Sequence, residues 1–263
     1  MKRAVVLIIV HKPDPSQTEI KSLVQCAGVL RCYRIVLICP RGMDVKAYRE
    51  VAPQVEFEFI DPKWQATYRS FNRLKISPLL YRKYSDYQYI LFYELDAWVF
   101  RDELEYWCDQ GFDYIGAPWF EGWYKATGQS QFAGIGNGGF SLRKVNSHLK
   151  AIHRLGYVRP PKVLWEDFKA KKNLKSVMVF LLSLTFWNNT FFLFNNFRGN
   201  EDFFWGRIVG DKFNWKIPDL ATAARFSIEA NSQALYEMNG NQLPFGCHKW
   251  EKYETGFWKQ FIQ

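Results

Sequence analysis

Cysteine is sparse in the 263 residues: Cys26, Cys32, Cys39, Cys108 and Cys247 are odd in number and scattered. None forms a C-x-x-C pair, which excludes a zinc knuckle or a disulfide scaffold and points to a reducing cytoplasm. A long apolar run is also missing. Val177 to Trp187 offers about eleven residues against the ~20 needed to span a bilayer. No small-residue cleavage site follows Met1-Lys2-Arg3 and the apolar stretch Ala4 to Val10. That opening therefore reads as a buried strand and not as an export signal. A basic-aromatic motif of the RNA-binding kind is absent as well, which sets nucleic acid aside as a partner.

Aromatic residues and positive charge are abundant. At 48% hydrophobic and 18% aromatic the chain can bury a large core, and 11 Trp with 23 Phe leave rings over to line a ligand cleft. Carbohydrate faces stack on such rings. The formal charge of +9 suits an anionic partner such as a nucleoside diphosphate or a phospholipid surface.

The first half alternates strand and helix signals. Ala4 to Val10, Arg34 to Cys39, Val55 to Ile60 and the run from Tyr89 read as strands. Ser16-Gln17-Thr18-Glu19 is a capping box opening a helix to Ala27, with Gly28 as its stop. Asp44 to Val51 gives a short helix. Tyr68 to Tyr84 is a helical pattern broken at Pro78. Such alternation implies a mainly parallel sheet flanked by helices. In sheets of this kind ligands collect beyond the carboxyl ends of strands.

Glu94 and Asp96 stand where the Tyr89 strand should end. Residues i and i+2 of an extended chain face one side, so both carboxylates can meet a divalent cation shared with phosphates. His11 and Lys12, at the exit of strand one, are candidates for base or ribose contact. Lys75 and Arg73 are candidates for phosphate.

Further on, Glu103 to Cys108 reads as a helix and Asp113 to Ala117 as a strand ending at Pro118-Trp119. Phe120 to Gly136 reads as an active-site loop. Gly134-Ile135-Gly136-Asn137-Gly138-Gly139 precedes a strand and does not lead from one into a helix, so it lacks the mechanics of a dinucleotide fingerprint. It reads as a glycine turn that lets backbone approach a sugar. Asn146 to Leu155 is an expected helix; Asp219 to Phe226 and Ala234 to Met238 are helix or strand. The basic segment Lys162 to Lys175 leads into Val177 to Trp187, which fits a buried core helix or a monotopic patch on anionic headgroups. Asn200-Glu201-Asp202 suits a helix start, where nearby N–H groups keep acids ionised. His248 follows Gly246-Cys247 and precedes Lys249-Trp250; an imidazole beside carboxylate and phosphate oxygens suits Mn²⁺.

The segment Tyr89 to Phe100 resembles the D-x-D region of GT-A nucleotide-sugar glycosyltransferases, with Glu94 in the first acidic place. Together with Asp113 to Trp119 it is similar to a bacterial group within that fold. Gly136-Asn137-Gly138-Gly139-Phe140-Ser141-Leu142-Arg143 resembles the G-N-G-G-F-S-L-R element of these enzymes, which lies beside donor and acceptor sugars. Glu201, Asp202 and Gly206 match the E-D-x-x-x-G segment of inverting members. The resemblance implies a single GT-A-like domain, with a nucleotide-binding half at 1–119. An acceptor-binding half would follow at 120–263, carrying a basic and apolar insertion at 162–197. It implies Asp96 and His248 as ligands of Mn²⁺ or Mg²⁺, and Asp202 as the base. His11, Lys75, Glu94, Trp119, Asn137, Gly138, Gly139, Glu201 and Lys249 would contact substrate. The activity implied is transfer of a sugar from a UDP-sugar to a glycan or lipid-linked glycan in building a cell-surface polysaccharide. The enzyme would be cytoplasmic or peripheral on the inner membrane face.

Two other readings make different demands. A sugar-phosphate nucleotidyltransferase would carry a Gly-rich, Arg/Lys-bearing loop after strand one, where His11-Lys12-Pro13-Asp14-Pro15 stands instead. A non-catalytic carbohydrate-binding protein would need neither acidic landmark together with His248.

Overall fold

In the computed structural model the described residues are 1–122, 125, 130–154, 161–171, 173–184, 194 and 196–262. Strand β1 (Lys2–Ile9) leads to helix α1 (Gln17–Val29), whose Ser16 capping box forms with both bonds in place. The helix runs through Gly28, which therefore is not its stop; Leu30 is the C-cap. Gly28 does not need the left-handed backbone that would have made it one. Next come β2 (Arg34–Pro40), α2 (Lys46–Val51) and β3 (Glu56–Ile60). The broken pattern resolves into α3 (Tyr68–Ile76) and α4 (Pro78–Lys83). Ser77 caps the end of one and the start of the other. Strand β4 (Tyr87–Tyr93) follows.

The main sheet has the order β3-β2-β1-β4-β9-β6, with the first four strands parallel. Strand β9 (Phe140–Lys144) runs antiparallel to β4 and to the short β6 (Tyr114–Ile115). Alternation along β1 sends Ala4, Val6 and Ile8 to one face, where Leu23, Cys26 and Leu30 of α1 cover them. Val5, Leu7 and Ile9 face Leu74, Leu80, Tyr81 and Trp205. Both faces are thus covered, which is why β1 reads as one continuous apolar run.

Two smaller sheets complete the arrangement. Strands β7 (Ala117–Phe120) and β8 (Phe132–Gly136) pair antiparallel. The expected loop from Phe120 to Gly136 is therefore strand over its last five residues. The single strand expected at Asp113 to Ala117 is two, β6 and β7, in different sheets. The break falls at Gly116, where any side chain would collide with the carbonyl of Gly136. Strand β5 (Ala97–Val99) pairs with β11 (Gly246–His248), which also pairs with β10 (Ser227–Ile228).

Helix α5 (Leu104–Asp109) forms as expected, and α6 (Val145–His153) covers the expected 146–155 stretch up to His153. Residues Leu220–Phe226, capped by Asp219, and Ser232–Met238 are helices. The 162–197 segment contributes α7 (Pro161–Lys171) and α8 (Leu174–Ser183). None of their described side chains joins the three apolar cores, so the buried-core reading of Val177 to Trp187 does not hold there. Residues 185–193 of that run and its continuation lie outside the described residues. Among the described residues no helix is long and apolar enough to cross a membrane.

Candidate active site

The strand order reverses between β1 and β4, since β2 and β3 lie on one side of β1 and β4 on the other. A crevice opens beyond the carboxyl ends at such a point. His11 leaves β1 there, and Glu94 and Asp96 leave β4. The turn between them is closed by Ala97 N donating to Glu94 O at 2.8 Å. Buried Tyr93 Oη anchors the turn by donating to Ala97 O at 3.1 Å.

Two antiparallel pairings bring distant segments to the same edge. Tyr93 pairs with Phe140, which sets the Asn137–Gly139 turn beside Glu94; Glu94 N donates to Gly139 O at 2.7 Å. His248 pairs with Ala97, and Lys249 N donates to Asp96 O at 2.8 Å. One ligand atom each of Glu94, Asp96 and His248 lie within 4.8 Å of one another.

These residues fit a divalent cation. Asp96 Oδ1 and His248 Nε2 are buried polar atoms that face each other as an ion pair 3.0 Å apart. Two atoms each ~2.1 Å from one ion and at right angles around it stand ~3.0 Å apart. Glu94 Oε2 is 3.7 Å from the same nitrogen. The other ring nitrogen, Nδ1, lies 3.2 Å from Glu229 Oε1. With the Nδ1 proton given to Glu229, loss of the Nε2 proton would leave a lone pair facing Asp96 and the cation. Burial opposes charge on this ring, but Asp96, Glu229 and Glu94 override it and raise its pKa well above the ordinary value. A cation entering here therefore displaces a proton.

Beneath the triad lies a buried ionic network. Arg143 Nη2 is 2.7 Å from Glu201 Oε2, and Lys75 Nζ is 3.5 Å from Glu201 Oε1. Lys75 also bonds Glu94 and donates to Gly138 O at 3.0 Å. Burial raises the pKa of Glu94, but Lys75 and His248 outweigh it and hold the carboxyl far below its usual range. The network explains the two glycines. A side chain on Gly138 would strike Glu201, and one on Gly139 would strike the His248 ring.

Two cavities flank the site. The larger, about 550 Å³, is lined by His11, Tyr48, Tyr68, Phe71, Glu94 and Asp96 among others. The smaller, about 200 Å³, is lined by Tyr68, Trp119, Asp202, Glu229, Lys249 and Tyr253 among others. Tyr68 belongs to both, and its hydroxyl donates to Asn200 Oδ1 at 3.1 Å.

Of the expected substrate residues, His11 and Glu94 line the larger cavity, and Trp119 and Lys249 the smaller, where the expected base Asp202 also lies. Lys75 and Glu201 are buried in the ionic network, and neither lines the two cavities. Asn137 also turns inward. Its Oδ1 accepts from Gly139 N and Phe140 N, each at 3.1 Å, and its Nδ2 donates to Ser227 Oγ. Its φ of 84° is one that asparagine tolerates better than most residues.

Asp202 departs from expectation. It sits in the first turn of α9 (Glu201–Phe203), which continues as a π-helical turn over Phe204–Val209. Burial and the charges of Glu201 and Glu229 raise its pKa to about 6, against the N–H groups of Phe203 and Gly138. The helix start does not lower its pKa on balance; loss of water outweighs two hydrogen bonds. Asn200 makes no side-chain cap bond there. Glu229 was invisible to sequence reasoning: it leaves a strand only two residues long, too short for any periodic signal.

No curated protein matches the chain. Among solved structures, mouse xyloside xylosyltransferase 1 in its apo form is 12% identical over 92% of this chain and 96% of that one, with a TM-score of 0.48. A glycosyltransferase involved in glycosylation of the major capsid of PBCV-1 is 11% identical over 99% and 98%, at 0.47. An active-site mutant of LgtC is 12% identical over 93% and 86%, also at 0.47. Likenesses this low decide nothing about chemistry. A family model described as "Protein of unknown function (DUF5672)" matches residues 54–248, most of the chain and all of the site from Lys75 to His248, and the protein belongs to that family.

Proposed function

We propose that the protein is a metal-dependent glycosyltransferase that moves a sugar from a nucleoside-diphosphate sugar, a UDP-sugar first, to an acceptor hydroxyl with inversion. The observation that carries this reading is the meeting of Asp96 Oδ1 and His248 Nε2, buried and 3.0 Å apart, with Glu94 alongside, beside the cavity at the sheet's switch point. The resemblance of four short motifs to GT-A enzymes, described above, supports it.

In this reading Asp96 and His248 hold Mn²⁺ or Mg²⁺ with Glu94 alongside, and the ion supplies charge against the leaving diphosphate. The larger cavity takes the nucleotide, with His11 near base or ribose and Tyr48, Tyr68 and Phe71 as ring surfaces. The smaller cavity takes the reacting sugars, with Trp119 and Tyr253 in its wall. Asp202 accepts the acceptor's proton as its oxygen bonds the anomeric carbon and the bond to diphosphate breaks. A carboxyl poised near 6 suits a base working close to neutral pH. Residues 1–263 act as one catalytic domain. The acceptor is a glycan or lipid-linked glycan in cell-surface polysaccharide synthesis.

Incubation with a panel of nucleotide sugars and Mn²⁺ tests the reading. Slow hydrolysis of one donor, stopped by chelation and absent in Asp96→Ala and His248→Ala, is the expected result. If no donor is hydrolysed and calorimetry shows no Mn²⁺-dependent nucleotide binding, the reading fails.

A further inference from the structure

Helices α7 and α8 pack against each other through Trp165, Phe168 and Phe180, whose rings lie 5.0–6.2 Å apart. That aromatic layer uses the inward side of α8. Its outward side is also apolar. Leu174, Met178 and Leu181 fall at helical spacing on one face and are 77%, 55% and 57% exposed, and Leu184 just beyond the helix is 53% exposed. Water-facing leucine and methionine at i, i+4 and i+7 form a continuous stripe and not the scattered apolar residues of an ordinary surface.

The surrounding charge is basic. In sequence, 162–175 carries Lys162, Lys169, Lys171, Lys172 and Lys175 against Glu166 and Asp167. On α7, Lys162, Trp165 and Lys169 fall at i, i+3 and i+7 and are exposed. Lys169 Nζ lies 6.0 Å from the Trp165 ring centre. Lysines beside a tryptophan on α7, with an aliphatic stripe on the helix packed against it, match the chemistry of an anionic lipid surface. Ammonium groups meet phosphates, indole sits at headgroup level and leucines enter the acyl boundary. Helix α8 spans 10 residues and cannot cross.

We infer that the α7–α8 hairpin lies in the plane of a membrane carrying anionic headgroups, with Leu174, Met178 and Leu181 buried and the α7 lysines at the phosphates. A second copy of the chain is a poorer occupant, because like-charged lysines would face each other across that contact.

Vesicle flotation of the full chain tests this without nucleotide or metal, so its outcome is separate from the transferase reading. Binding to phosphatidylcholine vesicles containing phosphatidylglycerol, weakening with salt and absent with phosphatidylcholine alone, is expected. Replacing Lys162, Lys169 and Lys175 by Gln should weaken binding about fivefold per lysine, or about a hundredfold together. Met178→Glu with Leu181→Glu should abolish it. Both variants should keep the wild-type melting temperature, since the hairpin lies outside the three cores. Equal binding to both vesicle types, binding to neither, or lysine variants that float like wild type would each overturn the inference. So would a wild-type dimer that ignores vesicles and becomes monomeric in Met178→Glu with Leu181→Glu.

Discussion

Glu229 Oε1 stands 3.2 Å from Nδ1 of His248, while the other ring nitrogen faces Asp96. The same carboxylate oxygen takes Lys249 Nζ at 2.7 Å. Burial works against the charge of Glu229, but His248 and Lys249 prevail and hold it well below the usual carboxylate range. It therefore stays an acceptor, and the imidazole keeps one orientation.

Glu229→Gln keeps the shape but weakens that orientation. Mn²⁺ affinity should fall by about 10–100-fold, the usual effect of removing a partner behind a ligating histidine. Nucleotide affinity without metal should change little. Calorimetry with and without Mn²⁺ separates the two. An unchanged Mn²⁺ affinity would make Glu229 a partner of Lys249 alone.

Asp202→Asn should lower transfer by about 10²–10⁴-fold while leaving donor and metal binding in place. In the wild type kcat/KM should drop as pH falls through about 6, where the carboxyl takes up a proton. Stability carries the opposite sign. The folded pKa lies above the ordinary aspartate value of 3.8, so between there and about 6 the folded state holds a proton that the unfolded state has released. Stability falls as pH rises through that window, and the penalty is complete above it. Asp202→Asn should therefore melt higher than wild type at pH 8, by on the order of 1–3 kcal/mol, and little differently at pH 4. A lower melting temperature at pH 8, or near-normal turnover, would remove Asp202 from the role of base.

Arg143 is fully buried and faces Glu201 with Lys75 on the other side. Arg143→Leu leaves Glu201 short of a partner and should cost about 3–5 kcal/mol in urea unfolding. Arg143→Leu combined with Glu201→Leu should recover much of that, because an apolar pair replaces an uncompensated charge. Additive losses in the double variant would show that the two residues stabilise the fold separately.

The sheet and the gathering of Glu94, Asp96 and His248 were legible in the chain because both follow from strand ends. A β-branched run closing on Glu94 and Asp96 marks a strand end with two acids, and His248, two residues after Gly246, was the third candidate. The direction in which a side chain points was not legible. Lys75 reads as a candidate for phosphate, yet it is buried and meets Glu94 and Glu201, far apart in sequence. Asn137 and the two following glycines read as a sugar contact. They form a tight turn against His248 and Glu201, placed by the pairing of Tyr93 with Phe140. The α8 run reads equally as core or as surface, because its apolar residues surround the helix and carry no face of their own.

Strand β11 enters the edge of the site late: His248 takes its place by pairing with Ala97, across 150 residues of intervening chain. The parallel strands β1 to β4 are contiguous in sequence and can pair as they leave the ribosome. The triad cannot close until residue 248 has followed them. During synthesis the nascent sheet would thus carry Glu94 and Asp96 as an acidic pair with no histidine to complete it. On the metal-dependent reading proposed above, cation capture would be a late event in the birth of the molecule, coupled to arrival of β11.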